Sequence, residues 1–255
     1  MSFVMSVVAV SPMRKKAAHR SEMVSQLLFG ELATVLETSG DFVRIHTLYD
    51  DYEGWCQQSQ LVFMDELPIV QHQLLSKGWS SSVQVNGTGM MIGGGTPLDF
   101  FSGNTLLLPG FQFEYLAEGW QVDQAKFEPQ QITTIAMQYL NTAYVWGGRS
   151  VFGIDCSGFA QQVFRHFGIR LPRDAYQQAA KGETIGFLQE AHCGDLAFFD
   201  NPEGRITHVG IMLSADTIIH ASGLVRIDPI DNMGIVHAQT GKRTHQLRII
   251  KRYVQ

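Results

Sequence analysis

The chain has 255 residues, which at roughly 150 residues per domain means one large domain or two to three small ones. Hydrophobic residues make up 45% and charged residues 17%, a balance that excludes a disordered chain. No apolar run approaches the ~20 residues that cross a bilayer, and a net charge of −5 with no basic stripe excludes nucleic acid as the expected partner.

Residues 1–10 are mildly apolar, but Lys15 and Lys16 follow them instead of preceding them. That is the wrong order for a secretory signal, so the chain is expected to be soluble and cytoplasmic. The three cysteines, Cys56, Cys156 and Cys193, are an odd number and widely spaced. They suggest no disulfide framework and no short zinc pattern, and they fit a reducing compartment in which a single thiol can be reactive. The 25 glycines are about 10% of the chain (25/255), above the usual ~7%, and favour short strands with many turns.

Residues 1–67 read as short β segments. Ala33-Thr-Val-Leu-Glu-Thr38 and Asp41-Phe-Val-Arg-Ile-His-Thr47 flank Ser39-Gly40, the pattern of a hairpin. Asp51-Tyr-Glu-Gly-Trp-Cys56 reads as a turn that runs into a strand. Over residues 68–125 glycines at 87, 89 and 93–95 break up short apolar pieces, and Leu106-Leu-Leu-Pro-Gly110 ends in a turn; a second small β-barrel is expected there.

The period changes at residue 126. Pro129 precedes Ile132, Ile135, Ala136, Tyr139 and Leu140, the spacing of an amphipathic helix with proline in its first turn. A second helix is predicted over 157–167, with Phe159, Val163, Phe164 and Phe167 on its buried stripe and Gly168 at its end. Strands follow at 195–199, 208–213, 217–221 and 247–253. Helices first and an antiparallel sheet afterwards define an α+β class.

Cys156 lies in Gly153-Ile-Asp-Cys-Ser-Gly158, where a loop enters the second helix. The helix dipole and its unpaired N–H groups are expected to favour the thiolate there, and to offer donors to an oxyanion. A buried structural cysteine fits the same hexapeptide. If Leu213 pairs with Thr217, His220 faces Gly210 and shares a face with His208, roughly 7–8 Å apart at Cα. A thiol at a helix start backed by two histidines on a sheet is a nucleophile–base–orienter arrangement, although either histidine could instead be a surface or capped residue. The remaining histidines, 19, 46, 72, 166, 192, 237 and 245, have no such context and read as structural or solvated. A zinc site from Cys156, His208, His220 and the pair His192-Cys193 is the weaker reading, since none of these has common ligand spacing.

Six blocks carry a resemblance: Tyr144-Val-Trp-Gly-Gly148, Asp155-Cys-Ser-Gly158, Leu171-Pro-Arg-Asp174, Gly194-Asp-Leu-Ala-Phe-Phe199, His208-Val-Gly-Ile211 and Ile219-His-Ala-Ser222. In order and spacing they resemble the NlpC-type, papain-like cysteine peptidases of bacterial cell-wall metabolism. The preceding half resembles bacterial SH3-like domains. Its segments Ser21-Glu-Met-Val-Ser-Gln-Leu-Leu-Phe-Gly-Glu31 and Asp51-Tyr-Glu-Gly-Trp55 are similar to one subgroup, the γ-D-glutamyl-L-diamino acid endopeptidases (dipeptidyl-peptidase VI). The resemblance implies SH3-like domains at 1–67 and 68–125 and a peptidase domain at 126–255.

It further implies that Cys156 is the nucleophile, His208 the base and later the acid, and His220 the orienting group. Tyr144 would stand beside the nucleophile, with Asp155 and Ser157 flanking it. Asp155, Glu22 and Tyr52 would hold the ammonium of a freed murein stem peptide with an unblocked L-Ala terminus. Hydrolysis would release L-Ala-γ-D-Glu without metal or organic cofactor, and no membrane partner is implied. Glu22 also reads as a solvated carboxylate and Tyr52 as a core aromatic. Position 56 departs from the pattern, with Cys where an aliphatic residue is usual, and the middle segment matches poorly. An amidase or acyltransferase on the same scaffold, and a non-catalytic wall-binding protein, are the alternative functions.

Overall fold

The computed structural model describes residues 2–68, 70 and 73–254; His72 lies outside them. The chain forms two compact units, Met1–Gln124 with Trp146–Phe152, and Ala125–Val145 with Gly153–Gln255. Among the described residues no helix is long and apolar enough to cross a membrane.

The first unit is β throughout, apart from single 3-10 turns. Its leading strands are β1 (Phe3–Ser6), β2 (Val10–Arg14), β3 (Met23–Leu28), β4 (Leu32–Ser39), β5 (Phe42–Thr47), β6 (Glu53–Gln57) and β7 (Leu61–Met64). They form one sheet in the order β3-β2-β6-β5-β4-β1-β7. The β4–β5 hairpin pairs Ser39 with Phe42, so its turn is Gly40-Asp41, one residue later than the spacing suggested. Gly40 takes φ 55°, a conformation open to glycine because it has no Cβ. Inward positions such as Val43, Ile45 and Leu27 build the core, and Cys56 sits among them. Burial pushes the Cys56 thiol up to about 12, so the unusual cysteine is an inert packing residue.

The middle segment supplies β8 (Leu74–Ser76), β9 (Ser80–Val85), β10 (Thr88–Gly93), β11 (Thr105–Leu108), β12 (Phe111–Glu114) and β13 (Gly119–Gln121). They form a four-stranded sheet, β10-β9-β12-β11, and a β13-β8 pair. Their core does not close on itself. Val83, Ile92 and Phe113 pack in one cluster with Met5, Val7 and Phe29 of the leading strands, with the Phe29 and Phe113 rings 5.1 Å apart. Residues 67 and 68 therefore do not mark a packing boundary.

One segment of the later sequence also belongs to the first unit. Trp146–Phe152, with β14 (Arg149–Ser150), joins it through Arg149, whose side chain is fully buried. The guanidinium meets Glu31 at 3.0 and 3.1 Å and the carbonyl of Gln26 at 2.7 Å. Gly147 has to be glycine: it takes φ 78°, and a Cβ there would lie 2.6 Å from the Met23 carbonyl oxygen.

The second unit runs α1 (Pro129–Met137), β15 (Gly153–Ile154), α2 (Cys156–Arg165), α3 (Ala175–Ala179), β16 (Glu183–Ile185), β17 (Leu196–Asp200), β18 (Ile206–Ser214), β19 (Thr217–Ser222), β20 (Leu224–Asp231), β21 (Gly234–Val236) and β22 (Arg243–Arg252). The strand order is β16-β22-β17-β18-β19-β20-β21, and an additional β21–β22 pairing closes six of the seven strands into an antiparallel barrel. Alternation along β17–β19 turns Ala197, Phe199, Met212 and Ile218 towards one cluster. The helix α2 packs on β18 and β19 and is buried all round, polar residues included, so the expected apolar stripe understates its burial. The β18–β19 register places Gly210 opposite His220, as the spacing predicts. A bulge at Leu213 makes Ser214, not Leu213, the partner of Thr217.

Candidate active site

Cys156 is the first residue of α2, and Asp155 is its N-cap. The Asp155 side chain accepts from the N–H of Gly158 at 2.8 Å and from Ser157 Oγ at 3.3 Å. Its two oxygens also receive Arg173, at 3.0 and 2.5 Å, and Arg173 Nη1 donates to Ser157 Oγ as well. Asp155 and Arg173 are both buried. Asp155 therefore has a helix-capping and ion-pairing duty that motif reading did not foresee. Arg173 stands in the quoted Leu171-Pro-Arg-Asp174 block, which was the signal that could have identified it.

The expectation of a helix-stabilised thiolate is corrected. Burial, and then the Asp155 charge, push the Cys156 thiol up to about 12, against hydrogen bonds from the backbone at Val209 and Ser157 that act the other way. A helix dipole contributes about 0.3–1 kcal/mol at ordinary exposure, too little to offset desolvation of a buried sulfur next to a carboxylate. The N–H of Gly158 is held by Asp155, so it is withdrawn from the donors available to an oxyanion. Tyr144 lies close enough to Cys156 and Asp155 that, after burial, their charges raise its phenol pKa further. It keeps its proton and can donate.

The hydrogen bond at Val209 ties the sulfur to β18 one residue from His208. His208 Nε2 lies 2.8 Å from His220 Nδ1. His220 Nε2 lies 3.0 Å from Asp228 Oδ2. With Nε2 of His208 engaged, Nδ1 is the nitrogen left for the thiol. Burial, and then the neighbouring His220 and His245, hold the His208 pKa well below the usual imidazole value. The resting pair is therefore a neutral thiol and a neutral imidazole.

The second unit thus brings together Tyr144, Asp155, Cys156, Ser157, His208 and His220. Glu22 and Tyr52 belong to the first unit. Glu22 Oε2 pairs with Lys15 at 3.3 Å, and Oε1 accepts from Trp146 Nε1 at 3.0 Å. Tyr52 packs partly against the core of the leading strands. Three site residues escaped the sequence reading. Asp228 and Arg226 lie on β20, whose Pro229 hides the strand pattern. His245, read as structural or solvated, stacks on His208 with ring centroids 4.1 Å apart at 25°.

Nitrogens of His208, His220 and His245 fall within 4.8 Å of one another. Both nitrogens of His220 already have partners. This donor set suits a hydrogen-bonded relay better than a metal centre.

Residues 141–244 match the NlpC/P60 family, and residues 13–61 match the bacterial dipeptidyl-peptidase SH3 domain. A γ-D-glutamyl-L-lysine dipeptidyl-peptidase of Bacillus cereus is 26% identical over 254 residues, covering 88% of this chain and 76% of its own. The protein of that name from Bacillus subtilis is 29% identical over 214 residues, covering 77% and 71%. A crystal structure of an NlpC/P60 family protein from Bacillus cereus matches with a TM-score of 0.82 over 99% of this chain and 100% of its own, at 18% identity, a likeness of fold. Residues 141–244 of this chain are thus an NlpC/P60 family domain, preceded by a bacterial dipeptidyl-peptidase SH3 domain at 13–61.

Proposed function

We propose that the chain is a papain-like cysteine peptidase that cleaves free murein stem peptides between D-Glu and the diamino acid that follows. It requires an unblocked N-terminal L-Ala and releases L-Ala-γ-D-Glu for recycling. The observation that carries this reading is the buried His208–His220 pair at 2.8 Å, with the thiol at the start of α2 hydrogen-bonded to the backbone of Val209, the residue after His208. The names of the Bacillus relatives support the substrate class.

In this reading Cys156 passes its proton to His208 Nδ1 as the sulfur attacks the γ-carbonyl of D-Glu. Tyr144 donates towards the developing oxyanion. The C–N bond breaks, His208 returns the proton to the departing amine, and a thioester to L-Ala-γ-D-Glu remains. Water then gives a proton to His208, attacks the thioester and restores the thiol. Each proton transfer typically contributes ~10²–10⁴-fold. Ser157 flanks the nucleophile, and acidic and phenolic groups receive the substrate ammonium.

Incubation with L-Ala-γ-D-Glu-L-Lys and its meso-diaminopimelate counterpart, followed by mass spectrometry, tests the assignment. The expected products are L-Ala-γ-D-Glu and the free diamino acid. No cleavage of either peptide refutes it, and a product carrying an added amine in place of water assigns a transferase. N-acetylation of L-Ala is expected to lower kcat/KM on the order of 10²-fold or more, the loss of one to two charge-assisted hydrogen bonds at about 1.5–3 kcal/mol each. Equal rates on free and acetylated peptides remove the requirement for an unblocked N-terminus.

The pH profile has a defined sign. His208 works as a base only when neutral, and its pKa is held well below 6.5. The acid limb of kcat/KM is therefore expected well below pH 6.5, measured as initial rates between about pH 4 and 8. A limb at or above 6.5 contradicts the neutral resting pair.

A further inference from the structure

The proposed mechanism needs His208 to present a bare Nδ1 to the thiol, and nothing in Cys156, His208 and His220 alone decides which ring nitrogen carries the proton. We propose that Asp228, clamped by Arg226, is a positioning residue that sets the tautomers of His220 and His208 so that His208 offers Cys156 an unprotonated Nδ1. The activity arm of its test rests on the peptidase reading; the tautomer arm does not.

Asp228 is 1% exposed. Its Oδ2 receives Arg226 Nε at 2.7 Å in addition to His220 Nε2 at 3.0 Å. Its Oδ1 receives Arg226 Nη2 and the N–H of Ala238, both at 2.8 Å. Arg226 is held from behind, with Nη1 2.8 Å from His237 Nε2. Burial alone would raise the Asp228 pKa; hydrogen bonds from His220, Arg226 and Ala238 outweigh it and keep the carboxyl below its usual range. An ionised carboxylate only accepts, so His220 Nε2 carries hydrogen.

A neutral imidazole has one N–H, so with Nε2 carrying it the neutral form of His220 accepts at Nδ1. It lies 2.8 Å from Nε2 of His208, which must then donate. Nδ1 of His208 keeps its lone pair. The opposite order would set a bare His220 Nε2 against a carboxylate oxygen at 3.0 Å.

Asp228→Asn reverses the order without changing shape. Two donors, Arg226 Nη2 and Ala238 N, address the Oδ1 position against one, Arg226 Nε, at Oδ2, so the amide oxygen settles at Oδ1 and the NH2 turns towards His220 with loss of the Arg226 Nε bond. His220 then accepts at Nε2 and donates from Nδ1, and His208 accepts at Nε2 and carries hydrogen on Nδ1, facing the thiol with no lone pair. The expected loss in kcat on L-Ala-γ-D-Glu-L-Lys is on the order of 10³–10⁴-fold with KM little changed, the size of a wrong-tautomer defect at a histidine base.

The tautomers are read directly from long-range 1H–15N spectra of the full chain labelled with 15N-histidine. Wild type is expected to show Nε2–H on both His208 and His220, and Asp228→Asn to show Nδ1–H on both. Nδ1–H on His220 in wild type overturns the proposal even if the variant does not fold. Wild-type kcat in folded Asp228→Asn also overturns it and leaves the substrate assignment standing. The expected tautomers with no cleavage of any stem peptide support the relay and remove the substrate assignment.

Discussion

Cys156→Ala is expected to release no measurable lysine from L-Ala-γ-D-Glu-L-Lys, a loss on the order of 10⁴-fold or more in kcat, as when a nucleophile that acts as a unit with its base is removed. The sulfur supplies the bond that becomes the thioester, and no neighbouring group can replace it: Ser157 Oγ is engaged by Asp155 and Arg173. The histidine pair does not depend on the thiol, since its hydrogen bonds run to Asp228. The variant should therefore fold with a midpoint close to wild type. Discontinuous mass-spectrometric assay at high enzyme concentration is the measurement. Retained turnover in a folded Cys156→Ala protein ends the cysteine-peptidase reading.

Glu31→Gln is expected to produce the largest loss of stability. Arg149 and Glu31 are an ion pair with side-chain exposures of 0% and 2%, and Glu31 Oε2 also accepts from the N–H of Leu28 at 2.9 Å. Neutralising Glu31 removes the carboxylate paired with a buried guanidinium, leaving Asp50 as the other nearby acid, and breaking such a buried pair costs up to about 3–5 kcal/mol. Urea unfolding followed by tryptophan fluorescence measures it. Replacing both partners, Glu31→Leu with Arg149→Met, should recover most of that loss, because an apolar pair of similar volume avoids desolvating two charges. A double variant no more stable than Glu31→Gln would show that the pair is more than a desolvated contact.

The sequence made legible the elements with a clean period. The β4–β5 hairpin, α1, α2 and the β18–β19 pairing follow from alternation and helical spacing, and that pairing was enough to set His220 opposite Gly210. Four features were not legible, each for a physical reason. Pro229 within β20 obscured the strand that carries Arg226 and Asp228, though Thr217 pairs with Pro229 directly. His245 comes from β22, whose neighbours in the barrel are fixed by the β21–β22 closure, a long-range contact with no local signature. The Cys156 ionisation was misjudged because helix-terminus electrostatics can be read from sequence, whereas desolvation requires the fold. The sharing of one core between the leading and middle strands was likewise hidden, since each segment alone shows only its own alternation.

The seven residues Trp146–Phe152 have a consequence for how such a chain can be divided. They are encoded inside the later half yet fold with the earlier one, and Cys156 follows four positions after they end. A fragment cut at residue 125 would carry Arg149 away from the carboxylate that neutralises it. Any transplant of the first unit's strands onto another later half must bring a matching loop along. In heritable terms the exchangeable piece is residues 1–124 plus this heptad, and recombination between them separates a buried guanidinium from Glu31 a few residues ahead of Cys156.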